Sequence, residues 1–323
     1  MPSFRATWCV AIVLLSVATA RRADAQTQPA QGFAVERLYP SAAGGGWFVM
    51  DSLSMHGGLG GALELTTGYA YKPLRVATSD GTQRLAPVVD QAFADVSLAV
   101  TYARVRFSLD LPGPLLLSGR SGIVGSYSYS APSADPGRDP DTFSDVRIGF
   151  DARLLGDPAA SFRLGVGGQL WIPSGERVEY VTDGTYRGML RVLVAGDEGM
   201  LTYAGHVGVH IRPIDEPQVP GSPQGSELLF GAAGGVKVPA GQRLALVVGP
   251  EVFGETAFRS FLGSSTFGLE GLLTGRLEET GEDGAHLRVK LGVGGGLDAH
   301  FGVPELRAIL AVEVFGQNAG REH

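Results

Sequence analysis

The chain has 323 residues and a formal charge of −7. It is 44% hydrophobic and only 18% charged, and it holds 48 glycines and a single cysteine. Mild acidity argues against a nucleic-acid partner. The one cysteine, Cys9, lies in an N-terminal leader, so the exported chain has no thiol for a disulfide, a nucleophile or a cysteine metal site.

Residues 1–25 read as a signal peptide: Arg5, the apolar run "ATWCVAIVLLSVATA", then "ADA" at 23–25 as a small-residue cleavage site. The exported chain then begins at Gln26, and loss of Arg5, Arg21, Arg22 and Asp24 makes it more acidic still. "ATA" at 18–20 is an alternative site that would leave Arg21 and Arg22 at the new terminus. The apolar run is shorter than the about 20 residues of a spanning helix. Trp8 before Cys9 is wrong for lipid attachment, which wants a small residue there.

Residues 26–59 show no sustained alternation and form a lead, a mouth cap or a plug. Trp47 and Phe48 amid glycines would suit a plug. A periplasmic or mouth-capping position is preferred, because the first strand should start on the periplasmic side. Residues 60–316 alternate throughout, and 317–323 are a short tail.

Twelve strands are expected, near 60–72, 94–103, 104–112, 144–155, 160–172, 187–196, 200–212, 226–238, 242–254, 265–277, 285–297 and 304–315. Each is close to the about 9–11 residues with which a tilted strand crosses a bilayer. Their connections alternate between tight turns such as "GDEG" at 196–199 and long loops such as 118–144, 173–186 and 213–226. Short turns at one rim and long loops at the other are the habit of outer-membrane barrels.

The two faces of each strand differ. In "DVRIGFDARLLG" (145–156), Val146, Ile148, Phe150 and Leu154 share one face and Asp145, Arg147, Asp151 and Arg153 the other. Such alternation fits the half-buried sheet of a soluble sandwich as well as a barrel. The signal peptide, the even strand number and the loop asymmetry favour an all-β, transmembrane, antiparallel up-and-down barrel. Tyr69, Tyr71, Tyr102, Trp171 and Phe315 fall near strand ends, where interfacial aromatic girdles sit.

The segment "FAVERLYPSAAGGGWFVMDSL" (33–53), followed by "GYAYKPL" (68–74), resembles the opening of the barrel region of OmpA-family outer membrane proteins. The matching residues are Phe33, Glu36, Arg37, Pro40, Gly44, Trp47, Gly68, Tyr69, Pro73 and Leu74. "SDVRIGFDARLL", "LWIPSG" and "GPEVFGET" resemble later phrases of that family, with Ser144 in place of a glycine. The resemblance implies a barrel in the outer membrane of a Gram-negative bacterium. Many members continue into a peptidoglycan-binding domain; here the sequence stops at His323, so that tethering role is not carried over. The last strand, "ELRAILAVEVFG", resembles the signal read by the barrel-assembly machinery.

No constellation points to an enzyme. His206 and His210 share a face but stand about 13 Å apart along a strand, too far to ligate one zinc. A barrel-embedded lipid hydrolase would need a serine and an orienting group beside a histidine such as His210, and no motif supplies them. "GAAGGVK" (231–237) lacks the spacing of a phosphate loop and reads as a glycine face. No cofactor or metal is expected.

Turning the polar parity inward gives the expected lumen lining: Glu64, Asp95, Arg147, Asp151, Arg153, Arg163, Arg191, His206, His210, Glu251, Glu270, Arg276, Arg288, Lys290, Arg307 and Glu313. In one reading these charges line a narrow pore that passes small polar solutes or ions. In the other they pair across the lumen and close it as a polar core, leaving a structural barrel whose external loops bind a partner or support envelope integrity; an outer-membrane lipid hydrolase is a third alternative. Expected partners are outer-membrane lipid, the assembly machinery and small polar solutes, with the protein a monomer.

Overall fold

The computed structural model describes residues 27–134, 143–214, 219, 222–280, 284–298 and 302–317. The expected signal peptide at 1–25 lies outside the described residues, as does the expected tail at 317–323 apart from Gln317, which ends the last strand.

Twelve antiparallel strands close into one barrel. In chain order they are β1 (Leu59–Ala77), β2 (Arg84–Tyr102), β3 (Val105–Ser118), β4 (Val146–Leu155), β5 (Arg163–Ile172), β6 (Arg187–Glu198), β7 (Leu201–Ile211), β8 (Glu227–Pro239), β9 (Leu244–Ala257), β10 (Phe267–Glu279), β11 (Gly284–Asp298) and β12 (Leu306–Gln317). Each pairs with its sequence neighbours, and β12 closes the ring on β1 from Leu306↔Tyr71 to Gln317↔Gly60.

One rim carries tight turns: residues 103–104 join β2 to β3, 199–200 join β6 to β7, and 240–243 join β8 to β9. The opposite rim carries the long connections 119–145, 173–186, 212–226, 258–266 and 299–305. An up-and-down path produces this asymmetry because every second connection falls at the same rim.

The outside of the ring is apolar. Ile148 (45% exposed), Phe150 (39%) and Leu154 (50%) point away from the barrel, while Arg147, Asp151 and Arg153 on the same strand, and Asp145 just before it, are each under 5% exposed. A soluble sheet buries its oil and wets its charges. Here the distribution is reversed around the whole ring, as lipid outside requires.

Two features depart from the sequence expectation. β1 and β2 are each 19 residues long, because the hairpin runs on past the expected ends at 72 and 94. Lys72 takes a positive φ of 51°, and the register slips between Tyr71, Leu74 and Val76. Pairing survives Lys72–Pro73, which interrupts the alternation in sequence. Of the expected girdle aromatics, Trp171 and Phe315 turn inward instead: Trp171 packs edge-on to Tyr39 at 5.5 Å, and the Arg288 guanidinium sits 4.3 Å over Phe315.

Residues 33–55 pass along the inside of the barrel from the long-loop rim to the short-turn rim. At the long-loop end, Gln28 and Pro29 pair in parallel with Tyr127 and Ser128, in a small sheet with Gly122–Val124. Phe33 and Val35 enter an apolar cap with Leu74, Val88, Leu117 and Tyr180. Trp47, Phe48, Met50 and Leu53 lie deeper, against Leu193, Ala204, Val247 and Phe253 of the inner wall. β1 then starts at the short-turn rim, as expected, but the chain reaches it through the lumen rather than from a periplasmic or mouth-capping position.

Inner-face glycines make the room. A Cβ at Gly235 would come within 2.8 Å of the Trp47 ring, and one at Gly292 within 2.9 Å of Phe48. Glycine there permits close approach of the threaded chain to the wall.

Candidate functional site

The inner wall is a lattice of charges, contributed by the inward parity and often two or three to a strand, as with Arg147, Asp151 and Arg153 on β4. Pairs form between neighbouring strands and across one intervening strand. Arg147 on β4 faces Asp110 on β3 in register, with Nε donating to Oδ2 at 3.0 Å. Arg288 on β11 donates to Glu278 on β10 (2.9 Å) and to Glu313 on β12 (2.7 Å). Arg191 reaches Asp151 at 3.1 Å, Lys290 reaches Glu64 at 2.9 Å, and Arg307 reaches Glu270 at 2.5 Å. Arg163 pairs with Asp197 at 2.6 Å near the short-turn rim.

Of the remaining expected residues, Glu251, Arg153, Arg276 and His210 contact the threaded segment. Glu251 accepts the backbone N–H of Phe48 (3.0 Å) and of Val49 (2.9 Å), with the Thr274 hydroxyl at 2.8 Å. It thereby satisfies backbone donors that neither helix nor sheet uses. Arg153 donates to the Leu53 carbonyl at 3.2 Å. The Arg276 guanidinium lies 4.8 Å over the Trp47 ring, and its Nε is 3.4 Å from Glu278. Asp95 stands 3.8 Å from Arg147. His210 is buried between Tyr39 and Trp171, with Nδ1 3.6 Å from Glu227. His206 faces inward on the same strand, four residues away.

Several charges that complete the lattice come from the threaded segment itself. Arg37 reaches Glu227 and Glu255, each at 3.3 Å, and Glu36 takes Arg307 at 2.8 Å. Asp51 pairs directly with Arg106, and Gly44 N–H donates to Glu313. Sequence reasoning did not place these residues in the lumen, because a lone charge in a non-periodic segment has no parity. The available signal was the E-R pair at 36–37, within the phrase that carries the family resemblance.

The long-loop end has its own latch. Asp183, in the 173–186 connection, accepts from Ala34 N at 2.8 Å and from Arg212 Nη2 at 2.7 Å. Burial opposes its ionisation, yet the Arg212 guanidinium, with Arg187 and the Ala34 amide, holds its carboxyl well below the usual range.

Among the described residues, no group of three His, Cys, Asp or Glu side chains converges to hold a metal ion. His210 has Tyr39, Trp171 and Glu227 around it, and its nitrogens make no hydrogen bond among the described residues.

A closed ring of twelve antiparallel strands with an apolar exterior and a charged interior is a transmembrane barrel of the type found in the Gram-negative outer membrane. No protein-family model matches the chain, and no curated protein matches it. Among solved structures, an outer membrane channel from Pseudomonas putida F1 aligns over 81% of this chain and 95% of its own, with a TM-score of 0.51 and 11% identity. The NanC porin aligns over 79% of this chain and all of its own, with a TM-score of 0.46 and 8% identity. At such identities the likeness to the Pseudomonas channel is one of fold.

Proposed function

We propose that the protein is a narrow, passive outer-membrane channel for small polar solutes or ions, with residues 33–55 constricting its lumen. The observation that carries this reading is the inner wall. Twelve strands enclose more width than side chains alone fill, and beside the apolar residues of the threaded segment the inner wall carries buried charges of both signs. A polar solute moving beside the segment would exchange water for these groups step by step, as narrow pores require. The channel acts as a monomer inserted by the barrel-assembly machinery, and its opening phrase at 33–47 supports kinship with OmpA-family barrels.

Conductance in planar bilayers tests the reading: small discrete openings are expected from the folded protein, and a flat baseline would sink it. The charge pairs that hold residues 36, 37 and 51 favour a second reading, a closed structural barrel whose long loops bind a partner. The flat baseline is that reading's expected result.

A further inference from the structure

A cavity of about 80 Å³ lies between residues 34–40 of the threaded segment and the inner wall, toward the long-loop end. Leu38, Phe93 and Trp171 give it an apolar side, and Gln91, Asp95, Arg147 and Arg187 supply polar atoms. Each of these four is more than nine-tenths buried. Each also carries a buried atom with no hydrogen-bond partner among the described residues: Gln91 Oε1, Asp95 Oδ1, Arg147 Nη2 and Arg187 Nε.

The other ends of the two guanidinium groups are occupied. Arg147 Nε donates to Asp110 at 3.0 Å, and Arg187 Nη2 donates to Asp145 at 2.9 Å. Arg147 Nη2 stands 3.8 Å from Asp95 Oδ2, beyond a hydrogen bond. Unpaired donors and acceptors side by side in a buried space are costly when dry, and they mark where a polar occupant belongs.

The signs select the occupant. A simple anion would satisfy the two arginines but meet Asp95, with Glu36 and Asp145 also in the lining; a simple cation would suit these carboxylates and Gln91 but face both arginines. A molecule carrying both charges satisfies both sets. Size narrows the choice, since at roughly 10–15 Å³ per occupying centre the cavity takes about five to eight non-hydrogen atoms.

We propose that this cavity binds small zwitterions of the α-amino-acid class. The carboxylate faces Arg147 and Arg187, the ammonium faces Asp95 and Gln91, and a short aliphatic group lies against Phe93 and Trp171. The inference rests on the channel reading, for which it names the solute class.

L-alanine is the probe, with isobutyrate and isopropylammonium as controls of similar shape that each lack one of its charges. The mature protein, folded in detergent, carries Trp47→Phe so that Trp171 reports by fluorescence; saturation-transfer NMR on the unsubstituted protein gives a second readout. Alanine should give a saturable response, with both controls at least about tenfold weaker. Asp95→Asn, or Gln91→Leu where the first variant fails the heat-shift test of folding, should weaken alanine by about tenfold through loss of a buried, charge-assisted contact. An equal response to all three compounds means binding without selection by charge, and no response to any means the cavity holds water only; either result overturns the proposal. Channel openings without alanine binding overturn this inference alone, whereas alanine binding without openings overturns the channel reading alone.

Discussion

The guanidinium of Arg106 joins the threaded segment to the wall: Nη2 pairs with Asp51 and lies 3.3 Å from Asp151 Oδ2, whose other oxygen takes Arg191. Removing Asp51 leaves Arg106 with Asp151, so Asp51→Ala should cost about 1–3 kcal/mol. Arg106→Ala strands a buried carboxylate on the segment and should cost about 3–5 kcal/mol. Urea midpoints of the heat-modifiable gel shift measure both. An Asp51→Ala loss as large as that of Arg106→Ala would contradict the shared arrangement.

Glu251 is the acceptor for three backbone donors of the segment, the N–H groups of Phe48, Val49 and, at 3.4 Å, Met50. Glu251→Leu fills similar space but leaves the Phe48, Val49 and Met50 N–H groups without this acceptor, at about 1–3 kcal/mol for each of the two shorter bonds. Glu251→Gln keeps an acceptor oxygen and should lose less. The same unfolding midpoints rank the two, and equal losses would show that Glu251 does not act as the acceptor.

The neighbours a side chain at Gly292 would meet are the Ile309 side chain and the Phe48 ring, not wall backbone. Gly292→Leu should therefore displace the segment and spare the ring. Larger conductance steps and faster proteolysis within residues 33–55 are expected, with the folded-barrel gel shift retained. Unchanged conductance and protection would show that the wall has slack at this point.

The Asp183 latch predicts an acid dependence. Its carboxyl is depressed in the folded state, so it contributes stability that is fully present above the unfolded value of about 3.9 and is lost as pH falls toward the folded one. The stability difference between wild type and Asp183→Asn should be constant from about pH 7 to pH 5 and shrink below about pH 4. A difference that grows on acidification would reverse the sign and reject the latch.

The strands and their facing were legible because a stave between lipid and a charged interior must alternate; Ile148 beside Arg147 is enough to show it. The β1–β2 extension was hidden by Lys72, Pro73 and Pro87, which look like loop residues and are accommodated by a bulged hairpin. The threaded path was hidden for a different reason. Its contacts are set by the wall, through Glu251, Arg106 and the inner-face glycines, and nothing periodic in 33–55 records them. The glycine face at 231–237 was visible, but its use, room for Trp47 at Gly235, depends on a residue nearly two hundred positions away.

Because the single cysteine, Cys9, lies in the expected signal peptide, the threaded path can be tested with single-cysteine variants on intact cells. Thr27→Cys lies beside the small sheet at the long-loop rim, and Ala240→Cys in the short turn between β8 and β9. With a membrane-impermeant maleimide, Thr27→Cys should label on intact cells, and Ala240→Cys only after the outer membrane is permeabilised. If Thr27→Cys is protected until permeabilisation, the N-terminal segment does not pass through the lumen to the outer face.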